Sequence, residues 1–405
     1  MFTQSVLSLT NFFVGISVAR YASKNEYGIY VILFSIMAIM GTYQNALVNT
    51  PLTVLVHKKD EKEQFKLLSG MAFGQGFAFI PILPLSIFIA WTMDKRFPDL
   101  NLVGLSLMLG VVTLVFLFRE FVRTVNYYKL RINFLVEMDA IFLLVVGIGI
   151  VLISNIDMVT SSTALVVLGI GYLLSATYSE IRSRDKKKWC LAWIREAFSE
   201  TWEYSRWALV GVTSDIFKNR GYIYIVTAML GLEVIAEVSA ARLLLMPIGL
   251  LIGSSGRITL AKGAEIYNTK GLDKFRKFFA GITILLVFVW GGYSIVLFLF
   301  SEPIMSILGQ KYMKSQGYLV VWGIFFFFLA LRFPISNTLY IFKEFKAQAR
   351  IDIICAAVTV IGCLILTNHF GGYGTILSLA LGEFTMILIS LPLLIGHLSE
   401  RLATA

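Results

Sequence analysis

The chain has 405 residues, of which 57% are hydrophobic and 15% charged, with a net charge of +10, and its mean hydropathy is +0.78. Soluble domains carry about 25% charged residues, so this composition excludes a water-soluble globular protein. It places the chain among the membrane proteins.

The apolar residues fall into blocks near the length of about 17–25 residues that spans a bilayer. In chain order they lie at 2–19, 29–56, 67–92, 101–118, 133–154 and 159–179, then at 206–229, 239–261, 278–300, 317–339, 351–368 and 374–397. These twelve blocks predict an all-α polytopic membrane protein. No alternating pattern of barrel strands is present. The first block is not followed by a small-residue cleavage site and reads as a span rather than a cleavable signal.

Charge follows the blocks. Numbering the intervening segments alternately, 23 of the 35 Lys and Arg residues fall on one side, 6 on the other and 6 inside blocks. That asymmetry is the positive-inside signal and predicts both termini in the cytoplasm of a multi-pass plasma (inner) membrane protein. It accounts for the basic character without a nucleic-acid partner. Cys190, Cys355 and Cys363 form no extracellular disulfide framework. His57, His369 and His397 lack metal-ligand spacing. The stretch GSSGR at 253–257 lacks the lysine and strand context of a phosphate loop. No metal, cofactor or catalytic residue is expected.

After the sixth block comes SEIRSRDKKKWCLAWIREAFSETWEYSR (179–206), in which Trp189, Trp193, Ile194, Ala197 and Trp202 recur at helical spacing behind Lys186, Lys187 and Lys188. It reads as an amphipathic interfacial connector. The expected organisation is a six-helix lobe at 1–179, a connector at 180–205 and a second six-helix lobe at 206–405. Sliding the sequence along itself until Arg119 meets Arg332 also aligns Tyr127 with Tyr340, Asp139 with Asp352, Gly149 with Gly362, Asn155 with Asn368 and Gly169 with Gly382. Matching polar punctuation marks an internal repeat, the usual route to paired transporter bundles. An even number of spans per repeat gives both lobes the same orientation, around a central cavity.

The seventh block carries SDIFKNRGY (214–222) at its centre. A charged side chain at a helix centre costs about 2.5–3.5 kcal/mol against lipid, so these charges need partners. Asp215 and Lys218 share a helical face and are spaced to pair. Arg220 points elsewhere and needs another anion, water or a ligand. Arg242 and Arg257 in the eighth block and Arg332 in the tenth are further cations. Together with Asp215, Lys218 and Arg220 they are the candidate substrate-binding residues of the cavity. Asp215 reads as the clearest buried acid, so the buried charge leans basic and suits an anionic solute, for which arginine's planar fork gives paired hydrogen bonds. Arg119 and Arg123, closing the fourth block, are candidates for the cytoplasmic entrance or for lipid headgroups. Gly70, Gly74 and Gly76 suit close helix contact. Pro51, Pro81, Pro84, Pro247, Pro334 and Pro392 suit kinks.

The stretch VARYASKNEYGIYVILFSIMAIM (18–40) resembles the start of bacterial polysaccharide transporters of the O-antigen flippase type, in the multidrug/oligosaccharidyl-lipid/polysaccharide exporter superfamily. The matching residues are Arg20, Glu26, Tyr27 and Gly28, and GLEVIAEVSAARLLLMP (231–247) is similar to the start of that family's second half. The resemblance implies a flippase carrying polyprenyl-diphosphate-linked oligosaccharide to the outer leaflet by alternating access. Its partners would be that lipid-linked substrate, the bilayer, a polysaccharide polymerase and other assembly proteins. Relatives carry residues before their first span, so the start near Met1 implies a late start or a truncation. Two other readings stay open. One is a cation-coupled multidrug exporter of the same superfamily, against which the first span offers no acid. The other is a membrane enzyme, a polymerase or ligase, for which the longest external segment, 301–316, offers only Glu302.

Overall fold

The structure, a computed structural model, describes residues 2–57, 59–81, 83, 84, 87, 102–183 and 187–403, and among these no strand occurs. The outer part of the third block and the loop at 93–100 lie mostly outside the described residues, as does Lys186. Two compact units divide at Thr213/Ser214.

The first unit contains α1 (Phe2–Tyr21), α2 (Lys24–Gln44), a π-turn (Asn45–Asn49), α3 (Thr50–Val56), α4 (Glu61–Phe79), α5 (Leu102–Tyr128), α6 (Ile132–Asn155) and α7 (Ser161–Ser183). Helix α8 (Leu191–Leu230) follows, and the unit boundary falls within it. The second unit continues with α9 (Leu232–Leu244), α10 (Met246–Lys270), α11 (Leu272–Leu299), α12 (Ser301–Leu308), a 3-10 turn (Gln310–Ser315), α13 (Gly317–Ile341) and α14 (Phe345–Ala403). Seven of these segments are long and apolar enough to cross a membrane, or eight when α9 and α10, bent by 57°, count as one span. Helix α14 supplies two passes, since Gly371 at φ 57 breaks it. With α1, α4 and α8 the helices match the twelve blocks. Pro247 sits just past the α9–α10 bend, at a position where its missing N–H costs nothing.

The residues around Glu26 hold helix ends in place. Ser23 Oγ caps α2 by accepting the Glu26 N–H at 3.2 Å. The Glu26 carboxylate reaches away from its own helix and accepts the Ser161 N–H at 2.7 Å, placing a negative charge at the N-terminus of α7 where the helix dipole favours it. Tyr27 and Gly28 are buried behind it.

The repeat is written in the backbone as well as the sequence. After α5, Leu130 adopts φ 53, and after α13 its repeat counterpart Lys343 adopts φ 64. The hydrogen bonds around them coincide. Leu130 N–H binds the Tyr127 carbonyl and Arg131 N–H the Asn126 carbonyl, while Lys343 binds Tyr340 and Glu344 binds Leu339. Each pair is a Schellman cap, closing the orphan carbonyls of the helix end.

The expected connector is not a separate element. From Leu191 it runs unbroken into the seventh span as α8, and its buried face, Ile194, Ala197, Thr201 and Ser205, packs within the first unit. Trp189 and Trp202 remain exposed. Glycines of α4 permit the approach: a Cβ at Gly70 would collide with the Trp193 carbonyl, and one at Gly74 with the Phe198 ring. Lys59, ahead of α4, adds an ion pair to Glu200 at 3.0 Å. Replacing Gly74 by leucine should destabilise the protein by about 1–3 kcal/mol through overpacking. Gly76→Ala should not, since only Ile80 lies near that position, at 3.8 Å. Unfolding in detergent micelles, with protease sensitivity at 187–200, measures both.

Candidate functional site

Each buried cation must be neutralised nearby, and most of them are. In the first unit Arg119, 1% exposed, donates from Nη2 to Asp139 Oδ1 at 2.6 Å and from Nε to Ser175 Oγ at 3.1 Å. Its Nη1 reaches Glu120 at 3.0 Å. The guanidinium also lies 4.6 Å from the centre of the Phe142 ring, and Phe142 stacks on Tyr172 at 4.8 Å with planes 6° apart. Arg123 meets the other oxygen of Asp139 at 3.5 Å and the Tyr127 hydroxyl at 3.3 Å. The end of a block suggests a cytoplasmic entrance for both arginines. Instead they are buried among their own carboxylates, α5 against α6 and α7, which leaves them no free charge to offer a headgroup.

In the second unit Lys218 does not pair with Asp215. Its Nζ lies 3.0 Å from Glu383 Oε1 and 3.6 Å from Met386 Sδ. Asp215 is exposed, and its Oδ1 accepts from Asn219 Nδ2 at 2.6 Å. Spacing alone allows both arrangements, and burial decides: the more deeply placed lysine takes the more deeply placed acid. Arg332 also contacts Glu383. Glu383, 1% exposed, therefore carries two cations, although neither of its oxygens has a donor aligned for a hydrogen bond. Asp215 is thus not the most buried acid of the membrane blocks. Glu383 and Asp139 are each 1% exposed, and the signal that finds Glu383 is a lone carboxylate in the twelfth block, inside LALGEFTMIL (379–388).

Arg220 and Arg242 differ from all of these. Arg242 donates from Nη1 to the Tyr222 hydroxyl at 2.7 Å and lies over the Tyr222 and Trp322 rings at 5.5 and 5.1 Å. Trp322 is itself fixed by its Nε1 donating to the Val238 carbonyl at 2.9 Å. The cage is aromatic and neutral, and no carboxylate approaches Arg242 within ion-pair distance among the described residues. Arg220 has neither a hydrogen bond nor an ion pair among them, and it feels the charge of Arg242. Two like charges are thus held near each other, one positioned by aromatic faces and the other within reach of the Asp215 charge without forming an ion pair with it. The side chain of Arg257 lies outside the described residues. Periodicity marks Arg220 as unmatched; Tyr222 and Trp322 carry no such mark, because aromatic residues are common throughout these spans.

Among the described residues no group of three or more His, Cys, Asp or Glu side chains could hold a metal ion. The segment 301–316 folds as α12 and the 3-10 turn, with Met305, Leu308 and Tyr312 buried and Glu302 exposed in the first turn.

No protein-family model matches this sequence, and no curated protein matches it. Solved structures do. The chain superposes on the lipid II flippase MurJ in an inward closed conformation with TM-score 0.75, at 17% identity over 96% of this chain and 86% of that one. It superposes on an inward-facing MATE-family multidrug resistance transporter of the MOP superfamily with TM-score 0.76, at 12% identity over 98% and 96%. A MOP superfamily transporter from Pyrococcus furiosus, described by the reverse polarity of its binding pocket, gives TM-score 0.57 at 12% identity over 98% and 93%. The chain therefore has the fold of these transporters, about twelve helices in two lobes.

The two classes of cation predict different stability effects. Glu383→Ala leaves Lys218 buried without its acid and should cost on the order of 3–5 kcal/mol. Arg220→Gln removes no partner and should stay within about 0.5 kcal/mol of wild type. Chemical unfolding in micelles separates the two outcomes.

Proposed function

We propose that the protein is a flippase that carries an anionic, polyprenyl-diphosphate-linked oligosaccharide from the cytoplasmic to the outer leaflet for polysaccharide (O-antigen-type) assembly. The reading rests on one observation: Arg220 and Arg242 are neighbouring cations, neither in an ion pair with a carboxylate among the described residues, in a chain whose other described buried cations are matched to acids. A diphosphate supplies the missing negative charge, and guanidinium forks are suited to its oxygens. The Tyr222 and Trp322 faces hold Arg242 in place before the ligand arrives, so less ordering entropy is lost on binding. Of the cavity candidates, Arg220 and Arg242 keep the ligand role; Lys218 and Arg332 instead meet an acid of the protein, Glu383. The basic-residue asymmetry and the MurJ-like fold support transport from a cytoplasmic face in a plasma (inner) membrane, without enzymatic chemistry.

The competing reading, a cation-coupled multidrug exporter, draws on the MATE-like fold and on the exposed carboxylate of Asp215. The two make opposite demands on charge, because an organic cation gains nothing from paired arginines.

A charge-assisted hydrogen bond contributes about 1.5–3 kcal/mol, and about 1.4 kcal/mol is tenfold in affinity. Arg220→Gln with Arg242→Gln should therefore weaken binding of a polyprenyl-diphosphate sugar to the purified protein roughly a hundredfold or more. In a deletion strain lacking a redundant transporter, lipid-linked glycan should accumulate on the cytoplasmic leaflet, rescued by wild type and not by the double variant. Full rescue by that variant would remove the arginines from substrate recognition. Loss of drug resistance with export intact would replace the flippase by the exporter.

A further inference from the structure

The two repeats share a framework but not its charge wiring. In the first, Asp139 is clamped by Arg119 and Arg123. In the second, the equivalent acid is Asp352, and it has lost both arginines. The counterpart of Arg119, Arg332, contacts Glu383 instead. The counterpart of Arg123 is Ser336, buried with an Oγ that has no hydrogen-bond partner. Among the described residues Asp352 keeps only a stretched contact of 3.5 Å from Gln348 Nε2, and it is half-buried.

The devices that pin Arg119 are also gone from around Arg332. In the same repeat register, Glu120 becomes Phe333, Phe142 becomes Cys355, Tyr172 becomes Thr385 and Ser175 becomes Leu388. The acidic side contact, the stacked aromatic pair and the hydroxyl acceptor for Nε are all absent. Glu383, in turn, corresponds to Ile170, so its carboxylate is an addition of the second repeat. Arg332 thus has two acids within electrostatic reach, the one its repeat position inherits and the one it now contacts, and none of the devices that pin Arg119 holds it among the described residues.

We propose that Asp352 is a proton-binding site and that Arg332 reads its occupancy, contacting Glu383 when Asp352 is protonated and swinging to Asp352 when the proton leaves. The reaction is a simple dissociation, Asp352–COOH giving a carboxylate and a proton released to water. The new negative charge is then matched by a guanidinium already present. Lys218 stays on Glu383 and keeps it neutralised after Arg332 departs. The charged and titratable groups facing Asp352 are Lys218 and Asp215 from α8, Arg332 and Tyr340 from α13, and Cys355 on its own helix. A two-position ion pair between α13 and α14 gives the second unit two discrete packings selected by a proton, the kind of bistable element that conformational coupling requires. This goes beyond the transport reading and is measurable without transport.

The test uses the full chain in lipid nanodiscs. Infrared carboxyl absorption is followed against pH, the Asp352 band being the one missing in Asp352→Asn. In parallel, the nitrogen resonance of Arg332, assigned by its loss in Arg332→Gln, is followed over the same titration. The Arg332 resonance should move with the midpoint of the Asp352 band and become pH-independent in Asp352→Asn. In Glu383→Gln the proton affinity of Asp352 should fall at least tenfold, and by less than threefold when Arg332→Gln is added, because an arginine that moves makes the effect non-additive. An Arg332 resonance unmoved through the Asp352 titration overturns the proposal even if the Glu383 variant does not fold. So does an equal shift in the two backgrounds, or the absence of any titrating band lost in Asp352→Asn.

Discussion

A charge held in hydrocarbon has to be cancelled within a few ångströms, and the helices of this protein are arranged around that requirement. Arg119 beside Asp139, and Lys218 and Arg332 beside Glu383, are each joined by contacts between different helices. The pairings do not have to add net stability, since desolvation offsets much of the Coulombic gain. They fix which helix faces which, because any other packing would strand an ion. In a bundle whose helix surfaces are otherwise largely apolar, that restriction admits only the packings in which every such ion keeps a partner.

The same requirement makes an unmatched charge informative. Arg220 and Arg242 escape the rule within the protein, and the aromatic cage of Tyr222 and Trp322 holds Arg242 without neutralising it. A ring quadrupole attracts a cation yet leaves its charge available. The cage therefore positions the guanidinium for an anion that arrives from outside, where a carboxylate would have occupied it for good.

The number of spans, the repeat and its spacing were all legible in the sequence, because bilayer thickness and helical rise translate directly into block length. The Schellman caps at Leu130 and Lys343 recur at the same offset as the polar punctuation. Arg220 was legible too, as a charge that points away from Asp215 on its own helix and forms no ion pair with it. Partner choice was not. Lys218 had an acid at a workable spacing on its own helix, and only tertiary burial shows that it takes Glu383, from the last span of the chain. Arg119 and Arg123 looked like surface residues because they close a block, yet α6 and α7 cover them with Asp139 and Ser175. The connector looked like an independent element because its charge differs from that of its neighbours, while Gly70 and Gly74 draw its apolar face into the first unit.

Glu383 has no carboxylate counterpart, its equivalent being the exposed Ile170. In the first repeat Asp139 is enclosed by Arg119 and Arg123, and Arg119 is further held by Glu120 beside it. One acidic codon in the last span of the second copy is enough to give an old arginine an alternative. A moving part can arise in this way without a new fold, a new helix or a new cation: one half preserves the fixed circuit while the other is released to vary.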